Sequence, residues 1–147
     1  MTETVRRELQ IPRSPEKVWR AIANSASLAQ WMYPNNFEPV IGHQFNFHVP
    51  PNPKMKFDGL VVDCKVLQCD PPRQLVFSWS AGGAVVDTKV SFYLEPDGEG
   101  TRLLFEHSGF DLEQPFGSQA FKGATYGWAK MLEQLSDLVI AENVERS

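Results

Sequence analysis

The sequence predicts an α+β fold in which a curved antiparallel sheet of about six strands wraps a long C-terminal helix, with two short helices after the first strand. The main sign is a change of period. Between Glu113 and Glu142 the apolar residues Phe116, Ala120, Phe121, Ala124, Trp128, Met131, Leu132, Leu135, Leu138 and Val139 recur in steps of three and four, which makes one wide helical stripe. From Phe37 to His107 the period is two, with turn residues between the runs. An earlier alternating run, Thr4 to Ile11, is followed by two helix starts close together.

In the first run Val5, Leu9 and Ile11 share a face opposite Arg6, Glu8 and Gln10, the pattern of a half-buried strand. Arg7 falls on the apolar side, either at a frayed end with its head in water or at a polar spot inside. Ser14-Pro15-Glu16 then opens a helix: Ser14 can cap free N–H groups, Pro15 suits the first helical position, and Glu16 favours the positive end. Val18, Ala21 and Ile22 face inward. A second short helix starts near Ser25 or Ser27, carries Leu28, Trp31 and Met32, and stops at Pro34, so the pair forms a V-shaped corner.

The strands follow. Phe45, Phe47 and Val49 alternate with polar residues up to Pro50-Pro51-Asn52-Pro53. Leu60, Val62, Cys64 and Val66 face inward on the next strand, which turns at Asp70-Pro71-Pro72. Leu75, Phe77 and Trp79 form the next face, and Ala81-Gly82-Gly83-Ala84 turns the chain again. Val90, Phe92 and Leu94 lead to the hairpin signal Asp97-Gly98, and Thr101, Leu103, Phe105 and His107 line the last strand. A terminal helix of this length spans roughly 40 Å and depends on packing for its stability. Gly123 and Gly127, one turn apart before Trp128, each cost about 1 kcal/mol against alanine. A strand backbone, a ligand or close packing against a kink would account for them.

Residues 1–147 read as one domain. Forty-two per cent apolar and 12% aromatic residues exclude disorder, and the aromatic surplus suits a partly hollow interior. A net charge of −4, with Arg6-Arg7 as the basic doublet, argues against nucleic acid. No apolar run reaches the ~20 residues of a membrane span, and no secretion signal opens the chain. Cys64 and Cys69, five apart on one extended segment, are expected on opposite faces and unpaired. A reducing, cytoplasmic setting follows as the expectation.

Catalytic constellations are weak in the sequence. Gly98-Glu99-Gly100 leads into a strand and not a helix, so it is no phosphate loop. His43 and His48 face opposite sides of a strand and neither cysteine has a CxxC neighbour, so neither a metal nor another cofactor is expected. His107 shares parity with Phe105 and points inward, where a neutral imidazole can meet a ligand or bond to a neighbouring element. With no carboxylate assignable to orient it, His107 is a poor general base, and no catalytic residue is named. The candidate cavity residues are Trp31, Phe45, Phe47, Val62, Val66, Phe77, Trp79, Val90, Phe92, Phe105, His107, Gly127, Trp128 and Met131, each of which could equally be core.

Pro15-Glu16-Lys17-Val18-Trp19, Trp31, Phe45-Asn46-Phe47, the run Asp70 to Trp79, Gly100-Thr101-Arg102-Leu103, His107-Ser108-Gly109 and Gly127-Trp128 carry a resemblance along nearly the whole chain. In their order and spacing the sequence resembles the START-like helix-grip superfamily, and within it the domain family named after the activator of heat shock protein 90 ATPase. It departs from that pattern at Met32 and at Gly42-His43. The resemblance implies a deep apolar cavity between sheet and helix that holds a lipid, sterol, polyketide-like or other hydrophobic molecule, in a monomer or weak homodimer. A chaperone partner, and a cyclase- or hydrolase-type enzyme using the same cavity, are the alternatives it implies.

Overall fold

Sequence order runs β1 (Thr2–Ile11), α1 (Pro15–Ile22), α2 (Ser25–Trp31), β2 (Gln44–Val49), β3 (Leu60–Asp70), β4 (Gln74–Trp79), β5 (Thr88–Asp97), β6 (Gly100–Asp111) and α3 (Gly117–Arg146). This computed structural model describes residues 2–55, 58–81, 87–114 and 117–146, excepting the side chains of 55 and 142–146. Phe116 and most of the expected turn at Ala81-Gly82-Gly83-Ala84 lie outside the described residues. The six strands form one antiparallel sheet in the order β1-β6-β5-β4-β3-β2, so the first strand closes against the last. Among the described residues no helix is long and apolar enough to cross a membrane.

The helical corner forms as its residues require. Ser14 Oγ accepts from the Lys17 N–H at 3.4 Å, Pro15 holds the first position, and Val18, Ala21 and Ile22 are buried. The cap of α2 is Asn24, whose Oδ1 accepts from the Ser27 N–H at 3.0 Å. The buried Trp31 indole N–H donates to the Ala21 carbonyl at 2.9 Å and fixes α2 on α1. Edge strand β2 is covered by the segment after α2, since His48 N–H donates to the Pro34 carbonyl at 2.9 Å and Asn46 N–H to Asn36 Oδ1 at 2.8 Å. Arg7 is half-buried on the edge strand β1 and donates to the Arg6 carbonyl, consistent with a stem lying along the sheet.

Helix α3 starts later than the apolar stripe suggests. A side chain at Gly117 would run into the Asp111 carbonyl, so only glycine lets the chain turn from β6 into the helix there. Its far half buries Leu132, Leu135 and Val139, and Arg13 reaches it with a 3.2 Å hydrogen bond to the Ile140 carbonyl.

Two irregularities overturn simple alternation. The pairing of β3 with β4 shifts between Val66 and Gln68, which brings Cys69 opposite Leu75 and therefore onto the same face as Val66 and Cys64. The two cysteines thus share a face, against the expectation, and both are free thiols. In β6 the pairing with β1 shifts between Glu3 and Thr4, opposite Gly109, which adopts φ +97°. Both His107 and Phe110 consequently point inward, three residues apart. A side chain at Gly109 would sit 3.4 Å from the Asp87 carbonyl on a backbone that side chains rarely adopt. Gly109→Ala should therefore destabilise the fold by about 1–3 kcal/mol, read as a lower urea midpoint at unchanged slope.

Candidate functional site

Between the concave face of the sheet and the first half of α3 lies a void of about 210 Å³. Helix α3 contributes Ala120, Gly123, Ala124, Gly127, Trp128 and Met131, four of them with one side-chain carbon or none. Opposite stand Val49, Leu60, Val62, Trp79, Ala81, His107 and Phe110, with Tyr33 at the end of the α2 corner. A carbon added at Gly123 or Gly127 would meet nothing within 4 Å. The helix glycines therefore border open space, not a strand backbone. Exposed Gly123 and Leu60 mark where the void reaches solvent. Val49 and Leu60 also line a wider outer recess with Pro34, Pro50, Pro51 and Val61.

The floor is a chain of hydrogen bonds across four elements. The Trp128 indole N–H donates to His107 Nδ1 at 2.9 Å, which requires that ring nitrogen to be unprotonated. His107 Nε2 therefore carries the proton and donates to Thr88 Oγ1 at 2.8 Å. Thr88 in turn donates to the Trp79 carbonyl at 2.7 Å. All the ring nitrogens of His107 are occupied, its ring lies 4.5 Å from Phe110 and 5.4 Å from Trp79, and it is 1% exposed. Burial pushes its pKa down to about 3, so the imidazole is neutral at ordinary pH and is neither a general base nor a free partner for a ligand. Burial also raises the pKa of the Tyr33 hydroxyl, keeping it a neutral phenol.

The fourteen sequence-level candidates divide into two groups. Val62, Trp79, His107, Gly127, Trp128 and Met131 come together on the wall of the void. Trp31, Phe45, Phe47, Val66, Phe77, Val90, Phe92 and Phe105 lie instead in the packed interior, each at most 3% exposed. Their rings interlock: Phe45–Phe77 at 5.4 Å, Phe77–Phe92 at 6.2 Å, Phe92–Phe105 at 5.2 Å and Trp31–Phe92 at 6.2 Å between centroids. Parity selects residues that face inward but does not separate those that meet other rings from those that meet space.

Tyr33, Val49, Leu60, Ala81, Phe110, Ala120, Gly123 and Ala124 are wall residues absent from that set. Two signals for them are in the sequence. The spacing Ala120, Gly123, Ala124, Gly127 is a face of small residues on an otherwise bulky helix. An isolated glycine inside a strand pattern, here Gly109, marks the bulge that turns Phe110 inward. Nothing local identifies Tyr33, which follows α2 and reaches the void through the tertiary fold.

The depressed pKa of His107 has a sign. The unfolded histidine takes a proton below its ordinary value of 6.5 whereas the folded one resists to about 3, so acid favours unfolding throughout that window. Each unit of pH within it costs about 1.4 kcal/mol, and moving from pH 7.5 to 5 should cost roughly 2 kcal/mol through this group. In urea titrations at the two pH values, His107→Gln should lose correspondingly less stability on acidification than the parent protein.

The family model for Activator of Hsp90 ATPase homolog 1-like proteins matches residues 12–139. Among solved structures, protein MLL2253 from Mesorhizobium loti is 34% identical, with 95% of this chain and 98% of that one covered and a TM-score of 0.82. Protein BH1534 from Bacillus halodurans is 26% identical, covering 95% and 99%, at a TM-score of 0.74. The Aha1 dimer from Colwellia psychrerythraea is 23% identical, covering 93% and 96%, at 0.75, a likeness of fold alone. No curated protein matches significantly. With the sheet wrapped on a terminal helix as in START-like proteins, and a family match along most of its length, this chain belongs to the Activator of Hsp90 ATPase homolog 1-like family.

Proposed function

We propose that the protein is a non-catalytic binding module that takes a small hydrophobic or aromatic molecule into the void between sheet and α3. The observation that carries this reading is the open space against Gly123 and Gly127, kept at the expense of helix propensity. A volume of about 210 Å³ exceeds the ~150 Å³ of an engineered apolar cavity that binds benzene, yet falls short of the ~300–1,000 Å³ of drug-sized pockets. One or two rings suit it; a sterol or a two-chain lipid needs more room. The saturated hydrogen bonding of His107 supports binding over catalysis, since among the described residues no wall side chain is left as a proton acceptor of useful basicity.

The test is a thermal-shift and tryptophan-fluorescence titration with naphthalene-sized aromatics. A ligand at a hundred times its Kd should add about 2.7 kcal/mol of stability by mass action. Gly127→Ala should raise the melting temperature, through a gain of up to about 1 kcal/mol in helix propensity, while weakening ligand binding. Gly127→Leu should abolish binding. A parent protein that shows no response to any such probe refutes the reading.

A second reading, contact with another protein, has one observation in its favour. Val40 and Ile41, 58% and 61% exposed, lie beside the hydrogen bond from the Gly42 N–H to the Val66 carbonyl, next to the exposed Leu67. A homodimer is one such contact, and the Colwellia relative is described as a dimer. If the patch is an interface, sedimentation gives a dimer that Ile41→Asp converts to monomer. A parent protein that is monomeric at its highest soluble concentration removes this form of the reading.

A further inference from the structure

The wall of the void is apolar but not uniformly so. Among the described wall residues, those that carry polar side-chain atoms are Tyr33, Trp79, His107 and Trp128. Those of His107 and Trp128 are consumed in the floor, by hydrogen bonds of 2.8 and 2.9 Å. The Tyr33 hydroxyl and the Trp79 indole N–H have no hydrogen-bond partner among the described residues, and neither is among the sealed-off unsatisfied atoms. The contrast with Trp31 and Trp128 is direct, since both of those indoles donate at 2.9 Å to protein acceptors. Because neither the Tyr33 hydroxyl nor the Trp79 indole N–H is sealed from solvent, water can accept from both while the void is empty, and a guest that displaces that water without offering an acceptor leaves them unpaired. Among the described residues no Lys, Arg, Asp or Glu lines the void, so a charged guest would find no counter-ion among them.

We infer that the void selects a small neutral aromatic molecule carrying a hydrogen-bond acceptor, an aryl ketone or similar carbonyl compound, whose oxygen accepts from the free donors of Tyr33 and Trp79. The inference rests on the binding reading above and gives it a ligand class. The apolar wall supplies affinity without discrimination, because one ring resembles another to Ala120, Val62 or Phe110. Discrimination comes from the two donors, since a guest without an acceptor leaves them unpaired.

Three probes of similar size separate the possibilities: methyl naphthyl ketone, isopropenylnaphthalene, which keeps the shape and lacks the oxygen, and naphthoate, which carries a charge. Dissociation constants are measured for the parent and for Tyr33→Phe, and the indole N–H resonances are followed in the parent protein. The ratio of ketone Kd to alkene Kd should rise roughly 3- to 10-fold in Tyr33→Phe, the usual weight of one hydrogen bond. The Trp79 indole N–H should move downfield with the ketone and not with the alkene, a readout that needs no variant. Naphthoate should bind more weakly than the ketone; tighter binding overturns the neutral class. An unchanged ratio together with the same Trp79 response to ketone and alkene overturns the assignment while leaving the cavity as a binding site. If none of the probes binds the parent protein, the binding reading falls and this one with it.

Discussion

The hydrogen-bond chain from Trp128 through His107 and Thr88 to the Trp79 carbonyl is the constraint on which the arrangement around the void depends. It joins α3, β6, β5 and β4 through residues that are each at most 8% exposed. Burying an imidazole, an indole and a hydroxyl beside empty space would be costly if any polar atom of the relay were left over. Here each donor in the relay has one acceptor, and the sequence of donations is forced by the indole N–H, which can only give. The histidine tautomer is fixed by its neighbours and needs no carboxylate to hold it.

That chain also explains how aromatic residues can fill most of the interior and still leave a gap. The phenylalanines from Phe45 through Phe77 and Phe92 to Phe105 pack edge to face or tilted, with Trp31 closing the α2 side. Trp128 abuts Phe105 at 4.5 Å and so completes this layer, but the hydrogen bond to His107 fixes its ring in place. Toward the beginning of α3 the residues that border the void are Ala120, Gly123, Ala124 and Gly127, while Phe121 packs beside them against Phe110 with ring centroids 5.7 Å apart. The far half of the helix, with Leu132, Leu135 and Val139 buried, supplies packing that these small residues forgo.

Most of the fold was legible because period-two and period-3.6 patterns are strong where one face is buried. Ser14-Pro15, the Asp97-Gly98 hairpin and the stripe on α3 specified their elements through local chemistry. The site was legible only by halves. Inward parity identified Trp79, His107 and Trp128, but gave the same mark to Phe92 and Phe105, because packing against a ring and bordering a void are tertiary facts. Alternation also failed at the bulges: Cys69 turned to the face of Cys64, and Phe110 turned inward past Gly109. Tyr33 was illegible, since its place depends on how the α2 corner is seated against β2 and β3.

Gly109 also bears on how a wall of this kind can diverge. Because side-chain parity is reset at a single residue, the two stretches of β6 on either side of it are not bound to one alternating frame. Substitutions from Phe110 onward can reshape one corner of the chamber without disturbing the inward order of Leu103, Phe105 and His107. The strand is in effect two independently adjustable panels joined by a swivel, and a lineage can refit one of them to a new guest while the other keeps the interior closed.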